Sequence, residues 1–293
     1  MRVMTLNMWA RRGPYSSRAG AMRGQVALLA PDLLALQEVA DGPGAGGQAE
    51  ELFAPLGYEI AYEQRVGEYV GDPGIGVASR YPVLDRRLIE LPHHGACLAV
   101  RVRSPHGPLW FASAVPMGCW PHQEVEREDE VVALDEALTQ LAAGDELAPV
   151  LAGDFDATPE AASVRFLSGL QSLHGRSTGW VDAWRVAGDG SAGHTWSSHN
   201  PFVAPFAATV FAEPVHHRRI DYIFVGSPFV WNPRIVVRAC QVAVAGPPSC
   251  PPSDHHGVVA DLDVDSIDLG DGRGLDAWDE VASSLWPEDR ANE

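Results

Sequence analysis

Five short polar clusters in this sequence lie at the ends of five hydrophobic runs. In chain order they contain Asn7, Glu38, the pair Asp154 and Asp156, Asp221, and the pair Asp254 and His255. Each hydrophobic run has the length and composition of a buried strand, so each cluster is expected at a strand end or in the loop beside it. A divalent cation and a phosphate group are the natural reason for so many charges to gather at the lips of a buried sheet. The residue types therefore indicate metal-assisted chemistry on phosphate.

The elements that must position these clusters are predicted from the hydrophobic pattern. We predict strands at residues 2–7, 33–37, 58–62, 74–79, 96–102, 109–115, 150–153, 219–225, 236–244 and 257–262. Helices are predicted at 18–29, 123–143 and 160–170, the last with Thr158 as N-cap and Pro159 in its first turn. Residues 42–47 are interpreted as a flexible loop and residues 197–214 as an ordered surface loop near the site. Strands and helices alternate early and strands then predominate, which favours an α/β (α+β) fold of two packed sheets with helices outside.

The length of 293 residues and the 46% hydrophobic composition suit one large two-sheet domain. We expect this domain at residues 1–264. The remaining residues, 265–293, form an acidic tail with one amphipathic stretch at 275–285 that could be helical.

Charge and cysteine usage narrow the class of protein further. The formal net charge is −18, from 39 acidic and 21 basic residues, which disfavours nucleic acid as a partner without excluding it. The four cysteines are well separated and are expected to be free thiols. No apolar run approaches the ~20 residues that span a bilayer, and we expect no secretory signal before the first strand. We expect a cytoplasmic monomer.

Three motifs carry a resemblance to a known family: GDF at 153–155, RRIDYIFV at 218–225 and SDH at 253–255. In this order, and together with Asn7 and Glu38, they resemble the endonuclease/exonuclease/phosphatase superfamily, which has the deoxyribonuclease-I-like fold. The segments VDAWR at 181–185 and HTWSSHNP at 194–201 are similar to a bacterial subgroup. The resemblance covers residues 2–262. It implies a four-layer sandwich of two facing mixed β-sheets flanked by helices, and hydrolysis of phosphoester bonds in nucleic acids, inositol phosphates or phospholipids.

The resemblance also implies a role for each polar cluster. Glu38 would bind the metal ion, with Asn7 and Asp254 completing or supporting the site. These oxygen ligands suit Mg²⁺ or Mn²⁺, and Ca²⁺ remains an alternative. Asp154 corresponds to the carboxylate that orients or deprotonates the attacking water. Asp221 and His255 match the family's carboxylate–imidazole pair, in which the carboxylate fixes the tautomer of the ring and raises its pKa.

The sequence departs from the family pattern at two positions. Most members have Asn where this chain has Asp156, and an ionised Asp cannot donate to a phosphate oxygen as an amide does. Asp156 would then act beside Asp154 only if one of them is protonated or a cation lies between them. Relatives also have a histidine or tyrosine at the strand end that corresponds to Ala114 or Val115, so a phosphate-polarising group is missing here. His122 is a candidate substitute.

The apolar character of this strand end favours a small-molecule or lipid-like substrate. We predict that Trp9, Val115, Trp120, Trp196 and Arg219 contact it, although tryptophans also serve as ordinary core residues.

Three alternatives stay open. One is a nuclease on DNA or RNA, with arginines near Asn7 and Asp221 as phosphate contacts. Another is metal-assisted chemistry on a non-phosphate, natural-product-like substrate, which the two departures would explain. The third is a binding protein that has lost the chemistry.

Overall fold

Two mixed β-sheets of six strands each form the centre of the protein. The structure is a computed structural model, and it describes residues 1–64, 73–117, 120–231, 233–243 and 250–265. The strands are β1 (Arg2–Asn7), β2 (Leu33–Val39), β3 (Glu59–Glu63), β4 (Gly74–Ser79), β5 (Val83–Glu90), β6 (Ala96–Ser104), β7 (Gly107–Val115), β8 (Val150–Asp154), β9 (Val181–Asp182), β10 (Trp196–Ser197), β11 (His217–Arg218), β12 (Asp221–Val225), β13 (Arg234–Ala243) and β14 (Gly257–Asp265). The α-helices are α1 (Tyr15–Leu29), α2 (Gly47–Phe53), α3 (Glu124–Leu141), α4 (Ala162–Leu167), α5 (Ala183–Ala187) and α6 (Ala204–Val210).

The two sheets have related strand orders. Sheet A runs β13-β14-β1-β2-β4-β3 and sheet B runs β5-β6-β7-β8-β12-β9. One pair in each sheet is parallel, β1 with β2 and β7 with β8, and the other pairs are antiparallel. A separate two-stranded pair, β10 with β11, carries part of the chain between α5 and β12.

Alternation along the strands separates two hydrophobic layers. On β1, Val3 packs in the large core that sheet A shares with sheet B, whereas Met4 and Leu6 pack on the opposite side with residues of α1 and α2. Helix α3 contributes Val131, Leu134 and Leu138 to the core of sheet B. The result is the predicted α/β sandwich of two mixed sheets flanked by helices.

A buried polar chain crosses between the sheets close to the site. Thr5 Oγ1 donates to Gln37 Oε1 at 3.0 Å, and Gln37 Nε2 donates to Ser113 Oγ at 3.0 Å. Ser113 Oγ in turn donates to the carbonyl of Leu36 at 3.1 Å. All of these side chains are fully buried, and each is satisfied, so the chain fixes β2 of sheet A against β7 of sheet B.

Most strand predictions are confirmed, and the differences are local. The structure adds β5, whose sequence VLDRRLIE is half-exposed, and the short strands β9, β10 and β11. Helix α2 begins at Gly47, at the end of the predicted flexible loop, and α6 lies inside the predicted loop 197–214. Helix α4 begins at Ala162, and its N-cap is Ala161 rather than Thr158.

Three further predictions concern the end of the chain, the cysteines and membrane-spanning segments. The amphipathic stretch at 275–285 and the tail at 265–293 lie outside the described residues, apart from residue 265 at the end of β14. Cys97, Cys240 and Cys250 are free thiols, as predicted, and Cys119 lies outside the described residues. Within the described parts of the chain, no helix has the length and apolar character that a bilayer crossing requires.

Candidate active site

Strand register brings the predicted clusters to one end of the sandwich. Strands β1 and β2 are parallel and pair Asn7 with Gln37, so Asn7 and Glu38 emerge at the same edge of sheet A. Strand β14 runs antiparallel to β1, which places the residues that precede Gly257 at that edge too. In sheet B, Asp154 at the end of β8 is the register partner of Asp221 at the start of β12.

The glycine of the GDF motif permits this arrangement. Gly153 lies beside β7 in the parallel pair, and a Cβ at this position would overlap with the carbonyl oxygen of Ala114. A side chain would therefore push β8 away from β7 and displace Asp154, the next residue.

His255, Asp221 and Asp154 form a buried group at the floor of the cleft. His255 Nδ1 is hydrogen-bonded to Asp221 Oδ2 at 3.0 Å, and His255 Nε2 lies 3.8 Å from Asp154 Oδ2. The first distance is that of a hydrogen bond, whereas the second is too long for one. The ring is thus held by Asp221 and presents its other nitrogen towards Asp154.

The protonation of this group follows from its burial and charges. Burial alone would lower the pKa of His255, but the carboxylates of Asp221, Asp154 and Asp254 outweigh it and raise this pKa well above its ordinary value. We therefore assign a protonated imidazole paired with an ionised Asp221. Thr195 fixes the backbone that carries Asp221, because its Oγ1 accepts hydrogen bonds from the backbone N–H groups of Ile220 and Asp221 at 3.1 and 3.2 Å.

Asn7 connects the two sheets at the site. Its Nδ2 donates to Asp154 Oδ2 at 2.9 Å and approaches Glu38 Oε1 at 3.3 Å, while its Oδ1 accepts the backbone N–H of Trp9 at 2.9 Å. This buried amide positions the two carboxylates, and its oxygen keeps one further lone pair.

Glu38 and Asp254 are two carboxylates that line the same cleft and could hold a cation. Burial, and after it the charge of Asp254, raise the pKa of Glu38. Arg12 Nη1 binds Glu38 Oε2 at 2.5 Å, and Ser253 Oγ donates to Asp254 Oδ1 at 3.2 Å. A hard divalent cation would relieve the repulsion that Asp254 exerts on Glu38, so this oxygen donor set fits Mg²⁺ or Mn²⁺.

A second group could also hold a metal on distance alone. The ligand atoms of Asp154, Asp221 and His255 lie within 4.8 Å of one another. A metal there would compete with the hydrogen bond between His255 Nδ1 and Asp221, which already satisfies both partners. The buried group could therefore bind and transfer protons while Glu38 and Asp254 hold a cation.

Asp156 lies beside this group in an unusual electrostatic position. Its backbone N–H donates to Asp154 Oδ1 at 3.1 Å, and Arg218 Nη2 donates to its carbonyl at 2.5 Å. One edge of its side chain reaches solvent, yet burial in the cleft and the charge of Asp154 raise its pKa well above the ordinary value. A protonated Asp156 can donate a hydrogen bond, as the amide in most family members does.

Three non-glycine residues at the site have left-handed backbone. Trp9, Glu38 and Asp156 have φ values of 53°, 48° and 49°. Such conformations cost about 1–3 kcal/mol each for non-glycine residues and concentrate at functional sites. At Glu38 the strain coincides with a register shift between β2 and β4, which turns this side chain into the cleft.

The cleft above these residues is a cavity of about 320 Å³ with a charged half and an aromatic half. Its charged lining among the described residues comprises Arg12, Glu38, Asp154, Asp156, Arg218, Asp254 and His255. The other half, which we call the aromatic wall, comprises Trp9, Trp120, Trp196, Phe202, Phe206 and Phe211, with Ile220 beside it.

The aromatic wall includes residues that the sequence analysis missed. Phe202, Phe206 and Phe211 lie in or beside α6, within the segment that was interpreted as a surface loop. The abundance of aromatic residues in that segment was the available signal. Trp9, Trp120 and Trp196 reach the cavity where the sequence analysis expected substrate contacts.

Two predicted substrate contacts, Val115 and Arg219, are not among the described residues that line the cavity. Neither is His122. Val115 is buried in the core with β7. Arg219 forms a buried ion pair with Asp182, at 2.9 Å between Nη2 and Oδ2, and its neighbour Arg218 lines the cavity instead. His122, proposed as a substitute for the missing histidine, is exposed in a 3₁₀ turn at Pro121–Gln123.

Comparison with known proteins identifies the family. The sequence pattern of the Endonuclease/Exonuclease/phosphatase family matches residues 4–255, so the chain belongs to this family. Its members are hydrolases that act on phosphoester bonds, and they use divalent metals. No curated protein matches the sequence.

Solved structures of low sequence identity share the fold. The D. rerio TDP2 structure complexed with a single-strand DNA product has a TM-score of 0.68 and 18% identity, covering 90% of this chain and 99% of that one. The human Nocturnin catalytic domain with bound sulfate has a TM-score of 0.67 and 18% identity, covering 90% and 93%. The Bacteroides thetaiotaomicron mannosyl-6-phosphatase has a TM-score of 0.65 and 16% identity, covering 90% and 99%.

Proposed function

We propose that the protein is a divalent-metal-dependent phosphoric ester hydrolase that acts on a small-molecule or lipid-like substrate. The observation that supports this most strongly is a single cleft in which the His255–Asp221 pair and Asp154 lie together with the carboxylates of Glu38 and Asp254. Family membership gives the type of bond, and the aromatic wall favours a substrate with a substantial apolar part.

The residues of the cleft divide the reaction between them. Asp154 accepts from Asn7 and from the backbone of Asp156, which leaves its remaining lone pairs to orient a water and take its proton. The protonated His255, which lines the cavity together with Asp154, donates from Nε2 to an oxygen of the phosphoryl group. Water oxygen bonds to phosphorus as its proton passes to Asp154, the ester P–O bond breaks, and the leaving oxygen takes a proton from solvent, so the products are an alcohol and a phosphate.

The cation has a defined place in this scheme. Mg²⁺ or Mn²⁺ held by Glu38 and Asp254, with Asn7 in support, would stabilise the negative charge that develops on the phosphoryl oxygens. Arg12 opposes the rise in the pKa of Glu38 and orients its carboxylate through their ion pair.

In this scheme Arg218 contacts the phosphate in place of the missing strand-end histidine. Its guanidinium lines the cavity and is anchored by one donor to the carbonyl of Asp156, so other donors can face a phosphate. Arginine suits this purpose because its charge is permanent and its donors form a planar fork. The cleft also holds more carboxylates than arginines, which favours a small substrate over a polyanion.

The test is a metal-dependent substrate screen. Protein stripped with EDTA is assayed with Mg²⁺ or Mn²⁺ against p-nitrophenyl phosphate, bis-p-nitrophenyl phosphate, phospholipid vesicles and plasmid DNA. We expect turnover of at least one of the non-nucleic-acid phosphoesters, and a loss of at least about 100-fold in His255→Ala. Glu38→Gln should weaken Mg²⁺ binding measured by calorimetry.

A matched control tests whether the loss of activity is specific to His255 or follows from any His→Ala substitution. His106 is exposed at the start of β7, far along that strand from Val115, so His106→Ala should keep wild-type rates. Turnover of plasmid DNA alone would assign the nuclease alternative. An absence of phosphoester turnover with intact Mg²⁺ binding would reject the proposal in favour of non-phosphate chemistry.

A further inference from the structure

We propose that the aromatic wall selects phosphoesters whose alcohol part carries a flat aromatic group of one or two rings. This inference rests on the proposed function, because it assumes that the charged half of the cavity holds the phosphate. It narrows the substrate from the broader small-molecule or lipid-like class.

The wall is built from separate segments that converge on one side of the cavity. Trp9 follows β1, Trp120 precedes α3, and Trp196 lies in β10. Phe206 belongs to α6, and its side chain is 43% exposed although it lines the cavity. Trp196 is buried in a small core cluster with Ile220, whereas the partly exposed apolar ring of Phe206 at the cavity is typical of a ligand-binding surface.

Contacts within the wall hold its rings in fixed orientations. Trp196 meets Phe206 at 6.0 Å and Phe211 at 6.1 Å between ring centroids, both edge to face. Phe206 and Phe211 are 5.6 Å apart, and Trp120 meets Phe211 at 5.9 Å, again edge to face. Edge-to-face packing leaves ring faces and edges in defined directions, which suits another flat ring better than a flexible chain.

Cavity size separates an aromatic group from a long lipid. The volume of about 320 Å³ is at the lower end of the range of ligand sites, about 300–1,000 Å³. The same volume must also contain the phosphate. A one- or two-ring group fits the remainder, whereas most of a long acyl chain would extend into solvent.

The residue types that line this half of the cavity also favour an aromatic group in the ligand. Among the described lining residues of this half, Ile220 supplies the aliphatic contact and the others are aromatic. Adaptable sites for irregular chains are commonly rich in methionine and other flexible residues. The nearby carboxylates raise a competing possibility, a quaternary ammonium group bound through cation–π contacts, and the experiment below distinguishes it.

The experiment compares phosphate esters of primary alcohols, whose leaving groups have similar intrinsic reactivity. The substrates are 2-naphthylmethyl phosphate, ethyl phosphate and phosphocholine, each at saturating Mg²⁺. Binding of 2-naphthylmethylphosphonate, which cannot be hydrolysed, is measured in parallel by quenching of tryptophan fluorescence. We expect kcat/KM for the naphthylmethyl ester to exceed that for each of the others by about tenfold or more.

Substitutions at Phe206 test the ring itself. Phe206→Ala and Phe206→Leu should each lower kcat/KM for the naphthylmethyl ester by about two- to tenfold and weaken phosphonate binding to match, with ethyl phosphate unaffected. The leucine variant keeps apolar volume without a ring, so it separates an aromatic site from a general hydrophobic one. Phe229→Ala is the matched control, because Phe229 is 90% exposed and does not line the cavity in the described structure.

Three outcomes would overturn the inference while leaving the proposed function standing: equal kcat/KM for all esters, a preference for phosphocholine, or full activity in Phe206→Leu. If no ester is hydrolysed, the proposed function fails. Phosphonate binding that depends on Phe206 would even then support an aromatic ligand, and its absence would reject both.

Discussion

Arg218 is the residue whose removal most directly probes the altered phosphate site. Arg218→Ala should lower kcat/KM for phosphoester hydrolysis by about 10²–10³, the usual cost of removing one positioned donor to developing charge. Added guanidinium should restore part of this activity, because the vacated space opens to the cavity. The measurement is the rate of phosphoester hydrolysis as a function of guanidinium concentration.

The control for this rescue is Arg103→Ala, since Arg103 is exposed on β6. Its activity should equal that of the wild type and should not respond to guanidinium. A loss in Arg218→Ala that guanidinium cannot restore, or no loss, would contradict the role given to Arg218.

Asp156 makes a prediction about pH. Its pKa is raised well above the ordinary value by burial and by Asp154, so the folded state holds this proton more tightly than the unfolded state does. The resulting stability is present below the unfolded pKa of about 3.9 and is lost as pH rises through the folded pKa. Asp156→Asn has no such proton. Its advantage in Tm over the wild type, measured in EDTA, should therefore grow from pH 4.5 to 8.

A constant difference in Tm across this range would show that Asp156 titrates as an ordinary surface carboxyl. The metal-free buffer is essential, because a bound cation would change the protonation of every carboxylate in the cleft.

The types of the central polar residues could be predicted from the sequence, but the direction of some side chains could not. Asn7, Glu38 and Asp154 follow buried runs, and their strand-end positions are visible without a structure. Arg218 and Arg219 are adjacent, and successive residues of extended chain face opposite sides. Sequence reasoning chose Arg219, whereas the register of β11 with β10 places Arg218 beside Trp196 at the cavity.

At the scale of elements, Arg219 and Asp182 join β12 to the start of α5. Asp182 accepts hydrogen bonds from both Nη atoms of Arg219, at 2.9 and 3.2 Å. It also caps α5, because it accepts a hydrogen bond from the backbone N–H of Trp184 at 3.0 Å. Because both side chains are buried, Arg219→Ala should lower the free energy of unfolding by about 3–5 kcal/mol. Arg218→Ala, at the edge of the cavity, should lower it by less than about 1 kcal/mol. Urea unfolding of the two variants tests the contrast.

A double variant distinguishes the cause of this destabilisation. If an unpaired buried charge is responsible, Arg219→Ala combined with Asp182→Ala should be less destabilised than the sum of the two single variants. Equal stability of Arg218→Ala and Arg219→Ala would contradict the assignment of the two arginines.

Predictability of the elements follows their length and burial. Strands β1 and β4 are predicted to the residue because continuous apolar runs mark them. Strand β5 lies at the edge of sheet B beside β6 and carries exposed charges, so its pattern resembles a loop. Helix α6 has seven residues and one fully buried side chain, Ala207, and such a helix depends on tertiary packing rather than on its own periodicity.

At the scale of the whole molecule, each of the two sheets positions part of the site. Sheet A brings Asn7 and Glu38, and the turn before β14 brings Asp254 and His255. Sheet B brings Asp154 and Asp221. The net charge of −18 surrounds a cleft that is itself rich in carboxylates, which favours the entry of divalent cations. The aromatic wall, by contrast, comes largely from segments that connect strands within a sheet, where function varies most freely.

The measurement that tests the central claim most directly is hydrolysis in H₂¹⁸O. The best phosphoester from the substrate screen is turned over with Mg²⁺, and both products are analysed by mass spectrometry. Attack of water on phosphorus predicts one ¹⁸O atom in each released phosphate, none in the alcohol, and no turnover in EDTA. Label in the alcohol, or turnover that continues in EDTA, would contradict a metal-dependent phosphoester hydrolase.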